Sequence, residues 1–174
     1  WFYRSTSSDF KKIPDSPIAY WASEQVKDIF LNQPPLSTFC QTRKGMATGL
    51  NDEFVRVWAE VSYQKIGFGY SRSTATESSK KWFPYANGGD FRKWYGNFIE
   101  VVNWEDDGRR LQTEKHESGR IRAVNLNLDF IFRDGLSWTS ITSSTNAFRI
   151  LPKGFLFSSA SNALFSNNDI LIVL

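Results

Sequence analysis

The residue types that reactive centres draw on most are almost missing from this chain. It has one cysteine, Cys40, and one histidine, His116. A single cysteine excludes an internal disulfide and fits a reducing cytoplasm. One Cys with one His excludes the usual zinc ligand sets. His116 sits in the charged stretch Thr113-Glu114-Lys115-His116-Glu117, where a solvated ring is expected rather than a catalytic base. Cys40 follows Phe39 and is expected to pack in the core. No run approaches the ~20 apolar residues of a membrane helix, and no leader pattern opens the chain. Neither sign of charge dominates: 21 basic and 18 acidic residues leave a net charge of +3. So mild an excess is compatible with nucleic acid without pointing to it.

Sequence motifs for cofactors and catalysis are missing too. Ile66-Gly67-Phe68-Gly69 lacks the surroundings of a phosphate loop or a dinucleotide fingerprint and reads as a loop. Glu105-Asp106-Asp107 precedes Gly108 and reads as a solvated turn. A metal-dependent nuclease would need separated acids and a lysine gathered by folding, and no recognisable pattern supports one.

What the chain has is aromatic residues and local order. Aromatics reach 16% and hydrophobic residues 41%, enough to build a core. At 174 residues one domain is expected, spanning 1–174. The chain begins at Trp1 and stops inside the apolar run Ile170-Leu171-Ile172-Val173-Leu174, so it is expected to be a piece of a longer protein.

Helical spacing of Ile18, Ala22, Val26, Ile29 and Phe30 predicts a helix over 16–32, capped by Ser16 and stopped by Pro34 and Pro35. Alternation over 55–61 predicts a strand, and so does the segment 98–104. Residues 71–81 read as an exposed polar loop, Asn87-Gly88-Gly89 as a turn, and 109–121 as a charged stretch with a short helix. Asp129–Phe132, Leu136–Thr142, Ala147–Leu151 and Phe155–Ser158 read as consecutive antiparallel strands. The fold class is therefore α+β: a mostly antiparallel twisted sheet with an N-terminal amphipathic helix and short helices. Trp58, Trp94, Trp104 and Trp138 are expected in the core.

Two stretches carry binding chemistry. Gln41 to Asp52 is polar, punctuated by Gly45 and Gly49, and basic at Arg43 and Lys44. Such loops bring backbone N–H groups and cations to phosphate. Lys80 to Asn97 interleaves Lys80, Lys81, Arg92 and Lys93 with six aromatics around a turn. Arg and Lys suit phosphates or guanine edges, and Asn suits adenine.

These stretches also carry a family likeness. IPDSPIAYW (13–21), GMATGLNDEFVRVWAEV (45–61), WFPYANGGDFRKWYGN (82–97), VVNWEDDG (101–108), FRDGLSWTSITS (132–143) and FRILPKGFLF (148–157) stand in one order at compatible spacing. Together they resemble the C-terminal part of the BREX (Pgl-type) phage-defence adenine-specific DNA methyltransferases. More distantly they resemble the recognition domains of related restriction-modification enzymes.

The resemblance implies a division of labour. A catalytic domain of the same parent chain would bind S-adenosylmethionine and methylate a flipped adenine. This chain would be a target-recognition domain that grips double-stranded DNA, with no cofactor of its own and no membrane partner. Such methyltransferases hold the adenine with an Asn/Asp-Pro-Pro-aromatic motif. The Pro-Pro here, in Gln33-Pro34-Pro35-Leu36, has the wrong flanks. The expected DNA-contacting residues are Arg43, Lys44, Thr48 and Asn51 in the first loop. Around the second turn they are Lys81, Tyr85, Arg92 and Lys93. The alternatives are a nuclease-like hydrolase domain or a docking module for other subunits of a defence complex.

Overall fold

A computed structural model describes residues 4–143 and 145–166. The terminal apolar run, 170–174, lies outside the described residues. The chain divides into two compact units, Trp1–Cys40 and Gln41–Leu174.

The first unit is helical. Helix α1 (Ser7–Phe10) is fixed by reciprocal capping, in which Thr6 donates its backbone N–H to Asp9 Oδ2 at 2.8 Å and its hydroxyl to the same oxygen at 2.9 Å. Helix α2 spans Glu24–Asn32, not 16–32. Asp15 and Ser16 sit at φ 62° and 50°, and Pro17 follows, so the chain cannot enter a helix there. Ser23 caps instead, its Oγ accepting from the Val26 N–H at 3.3 Å. The helix ends where expected: Gln33, before Pro34, is extended at φ −104°, ψ 144°. Cys40 is buried as expected and donates its thiol to the Leu36 carbonyl at 3.2 Å.

Among its described residues the second unit holds two four-stranded sheets, in keeping with the α+β expectation. The strands are β1 (Cys40–Arg43), β2 (Val55–Val57), β3 (Trp82–Ala86), β4 (Glu100–Asn103), β5 (Gly135–Thr139), β6 (Phe148–Leu151), β7 (Leu156–Phe157) and β8 (Ser161–Ser166). Their orders are β1-β8-β5-β6 and β2-β4-β3-β7. Val102 faces Val55 on one side and Phe83 on the other, and Phe83 and Val102 are fully buried. Around them pack Trp104, Leu111, Leu151, Leu156, Phe157 and Phe165.

Several expectations are corrected. The 71–81 loop contains helix α4 (Arg72–Thr76), because Ser71 caps Thr74 and Ala75 is buried. The strand over 55–61 stops at Val57, where a 3-10 turn (Trp58–Glu60) begins and the Glu60 carboxylate accepts the Val57 N–H at 2.8 Å. Asp129–Phe132 is a turn rather than a strand, flanked by the left-handed residues Asn127 and Phe132. β7 runs parallel to β3 in the other sheet rather than antiparallel to β6. Pro152-Lys153-Gly154 carries the chain across from one sheet to the other. Of the four tryptophans expected in the core, Trp104 is buried and Trp138 half-buried, while Trp58 and Trp94 are exposed.

The Glu105-Asp106-Asp107 turn opens α5 (Glu105–Thr113), whose residues Asp106, Asp107 and Gly108 are left-handed. Asp107 is more than solvated. Its carboxylate accepts Arg72 Nε at 2.9 Å, Arg72 Nη2 at 2.7 Å and Trp104 Nε1 at 3.1 Å. The start of α5 is thus clamped to α4 by a bidentate pair.

Candidate nucleic-acid interface

The first loop is threaded through the second unit. Met46 donates its N–H to Phe157 O at 3.1 Å, and Ser159 donates to Met46 O at 2.8 Å. Ala47 and Val124 exchange N–H···O bonds at 3.0 and 2.8 Å. A side chain at Gly45 would put its Cβ 2.1 Å from Phe157 O, so only glycine fits. The glycine here serves close packing of backbone, with Met46 buried behind it.

This threading separates the four residues singled out in the loop. Thr48 is buried and gives its hydroxyl to Asn51 Oδ1, at the start of helix α3 (Asn51–Phe54). Arg43 leaves β1 and lays its guanidinium 4.4 Å from the Phe130 ring centroid. Arg133 covers the same ring at 5.1 Å. Lys44 is exposed, and its carbonyl accepts from Asn127. Arg43, Lys44 and Arg133 make no ion pair among the described residues.

The residues singled out around the second turn also part company. Tyr85 is 1% exposed and donates to Met46 O at 3.3 Å; burial pushes its phenol well up. Lys81 lies at the other end of β3, 3.7 Å from Glu105. Arg92 and Lys93 are exposed and unpaired among the described residues.

Three adjoining hollows gather some of these groups. One, of about 530 Å³, is bordered by Thr48, Asn51, Tyr85, Asn87 and Ser158. A second, of about 640 Å³, is bordered by Asn87, Asp90, Arg92, Tyr95, Asn97 and Glu100. A third meets Asn51, Asp52, Arg56, Glu60, Asn87 and Glu100. Asn87 borders all three, and its carboxamide makes no hydrogen bond among the described residues. In the sequence Asn87 stands before Gly88-Gly89 and signals a turn first, although it lies among cations and aromatics. The hollows mix charge: acids line them beside Arg56 and Arg92.

Beside them, residues 91–95, Phe-Arg-Lys-Trp-Tyr, are all exposed. Trp94 is held at φ 70°, which costs a side-chain-bearing residue ~1–2 kcal/mol. Its backbone is pinned to the edge of β6, with Trp94 N donating to Phe148 O and Ile150 N donating to Trp94 O, both at 2.9 Å. Behind the segment Arg149 is buried, 2% exposed, with no carboxylate partner among the described residues. Its Nη2 donates to Thr139 Oγ1 at 3.0 Å and its Nη1 to Arg92 O at 3.5 Å. Burial lowers the pKa of this guanidinium.

Among the described residues no group of three or more His, Cys, Asp or Glu could hold a metal ion. No helix among them is long and apolar enough to cross a membrane.

No family model matches the chain. It is 42% identical over 168 residues to the adenine-specific methyltransferase PglX of Lacticaseibacillus casei (strain Zhang), covering 95% of this chain and 14% of that protein. It is 40% identical over 175 residues to the adenine-specific methyltransferase BrxX of Escherichia coli O9:H4 (strain HS), covering 99% of this chain and 13% of that protein. Nearly all of the chain therefore corresponds to one segment of such methyltransferases, 13–14% of the length of the curated relatives it matches.

Proposed function

We propose that this chain, as the counterpart of a segment of adenine-specific methyltransferases, reads double-stranded DNA for a phage-defence methyltransferase of the BREX kind. Methyl transfer belongs to a catalytic domain elsewhere in the parent polypeptide.

In this reading S-adenosylmethionine is held outside this chain. Gly67 lies under Phe83, whose ring would be 2.5 Å from an added Cβ, so this glycine serves packing. Pro34-Pro35 leads straight into a 3-10 turn (Leu36–Thr38). The cofactor is assigned to the catalytic domain.

The observation that carries the reading is Asn87. A carboxamide without a hydrogen bond among the described residues, at the junction of three hollows, suits the paired donor and acceptor of adenine in the major groove. The acids in the hollows fit amino donors of bases and repel phosphate, so this face meets base edges. Arg43, Lys44, Arg92 and Lys93, none in an ion pair among the described residues, serve phosphates or guanine. Thr48 and Tyr85, both buried, support the hollow, and Lys81, already facing Glu105, contributes less.

The test is the methylated motif of the intact methyltransferase carrying Asn87→Ala. A changed or relaxed motif supports the reading; a normal motif at normal affinity contradicts it.

A second reading has its own observation. In the first unit Ile18, Trp21, Ile29 and Phe30 are at least half exposed, which favours docking against another part of the parent protein or another defence subunit.

A further inference from the structure

We propose that the segment Phe91–Tyr95 is an aromatic wedge that enters a base step of the bound duplex, with Trp94 and Tyr95 taking the place of a stacked neighbour. The proposal rests on the DNA reading above and goes beyond it, since it assigns a DNA-deforming role rather than base readout.

Three observations point the same way. First, the segment places aromatic faces in water: Phe91 is 54% exposed, Trp94 55% and Tyr95 67%. Large apolar rings left out of a core that buries Phe83, Trp104 and Phe157 call for a partner.

Second, the cations between them match a nucleotide. Lys93 Nζ lies 6.0 Å from the ring centroids of both Phe91 and Trp94, and neither Arg92 nor Lys93 has an acid partner among the described residues. Rings beside unneutralised cations offer a stacking surface for a base and a charge for its phosphate. A protein surface would need acids at that spacing; a duplex supplies phosphates on either side of every step.

Third, the segment is braced from behind. Trp94 is tied to β6 at both its N–H and its carbonyl, and Arg149 holds the Arg92 carbonyl. Tyr95 stands edge-on to Phe98 at 5.0 Å, and Phe98 meets Phe155 at 4.7 Å, so the ring is propped against the second unit's core. A wedge must resist the stack it opens, and a left-handed Trp94 fixed at both ends is presented without further ordering.

The experiment uses the intact methyltransferase and duplexes containing its methylated site. 2-Aminopurine is placed in turn at each position other than the target adenine, and its fluorescence reports unstacking. One position is expected to brighten on binding. Trp94→Ala and Tyr95→Ala should each lose that signal at saturating protein and bind roughly tenfold more weakly. Lys93→Ala should bind more weakly yet restore the signal at saturation. Trp94→Phe should keep part of it, which separates lost stacking from lost folding. If no position brightens, or if Trp94→Ala and Tyr95→Ala brighten as wild type does, the wedge is wrong while DNA recognition stands. If the wild-type enzyme binds no DNA, the recognition reading fails first and the wedge with it.

Discussion

Arg149 and Thr139 form a relay behind the exposed aromatic segment. The buried guanidinium donates to Thr139 Oγ1 at 3.0 Å, and Thr139 passes its own hydrogen to the Gly89 carbonyl at 3.1 Å. With the bond from Arg149 to the Arg92 carbonyl, one side chain governs both ends of residues 89–92.

Arg149→Met therefore separates stability from order. Methionine fills the buried volume and removes a desolvated charge that has no acid partner, so global stability should shift by no more than ~1 kcal/mol. The amides of Arg92, Lys93 and Trp94 should exchange faster with solvent. Hydrogen exchange on the folded protein checks this, and unchanged exchange there would show that the relay does not hold the segment.

Asp107 makes a stability prediction. Both partners of the Arg72–Asp107 pair are about one-third exposed, so solvent screening discounts the ion pair. Asp107→Ala also loses the Trp104 Nε1 bond and places alanine at φ 56°, for a total cost of ~2 kcal/mol in urea unfolding. Asp107→Asn tolerates the left-handed backbone and keeps an acceptor, so its cost should be about half of that.

Acid should weaken the cap at the start of α1. The Thr6 backbone N–H, then its hydroxyl, holds the Asp9 carboxyl at about 2, against an ordinary 3.8. A depressed folded value means that the stabilisation is present above pH 3.8 and lost as pH falls toward about 2. An NMR titration of Asp9 should follow this. Thr6→Ala should raise its midpoint toward 3.8.

What was legible in the sequence follows from how local each signal is. Val101 and Val102 lie in a strand whose apolar run announces itself, and Gln33-Pro34-Pro35 stops a helix by sterics alone. The true start of α2 has no decisive local signal: Ser16 before Pro17 reads as the cap, yet Ser23 caps in the structure. Only the left-handed turn at Asp15 and Ser16, set by the fold, decides between them. β7 is legible as a strand, but its parallel pairing with β3 has no local signature. At the candidate site the sequence shows which residue types are present, not how they are arranged. The pairing of Met46 with Phe157 and Ser159, beside which Thr48 and Tyr85 are buried, depends on contacts far apart along the chain.

Lys93→Ala tests the charge assignment. If Lys93 meets phosphate, its loss should weaken binding to all sequences alike and shallow the salt dependence by about one. Affinity measured over a range of salt concentrations on specific and unrelated duplexes decides this. An effect confined to one sequence would instead place Lys93 on a base.

The central claim is that this segment chooses the DNA site, and the most direct measurement is the methylated motif written by the intact methyltransferase. Asn87→Ala and Arg92→Ala should each relax one position of that motif, at a cost of ~1–3 kcal/mol for the cognate base. Methylome sequencing of cells carrying each variant reads this out, with folding checked by thermal unfolding. A relaxed position in each variant is the predicted result. An unchanged motif and unchanged affinity in both folded variants would contradict the account and place the reading surface elsewhere.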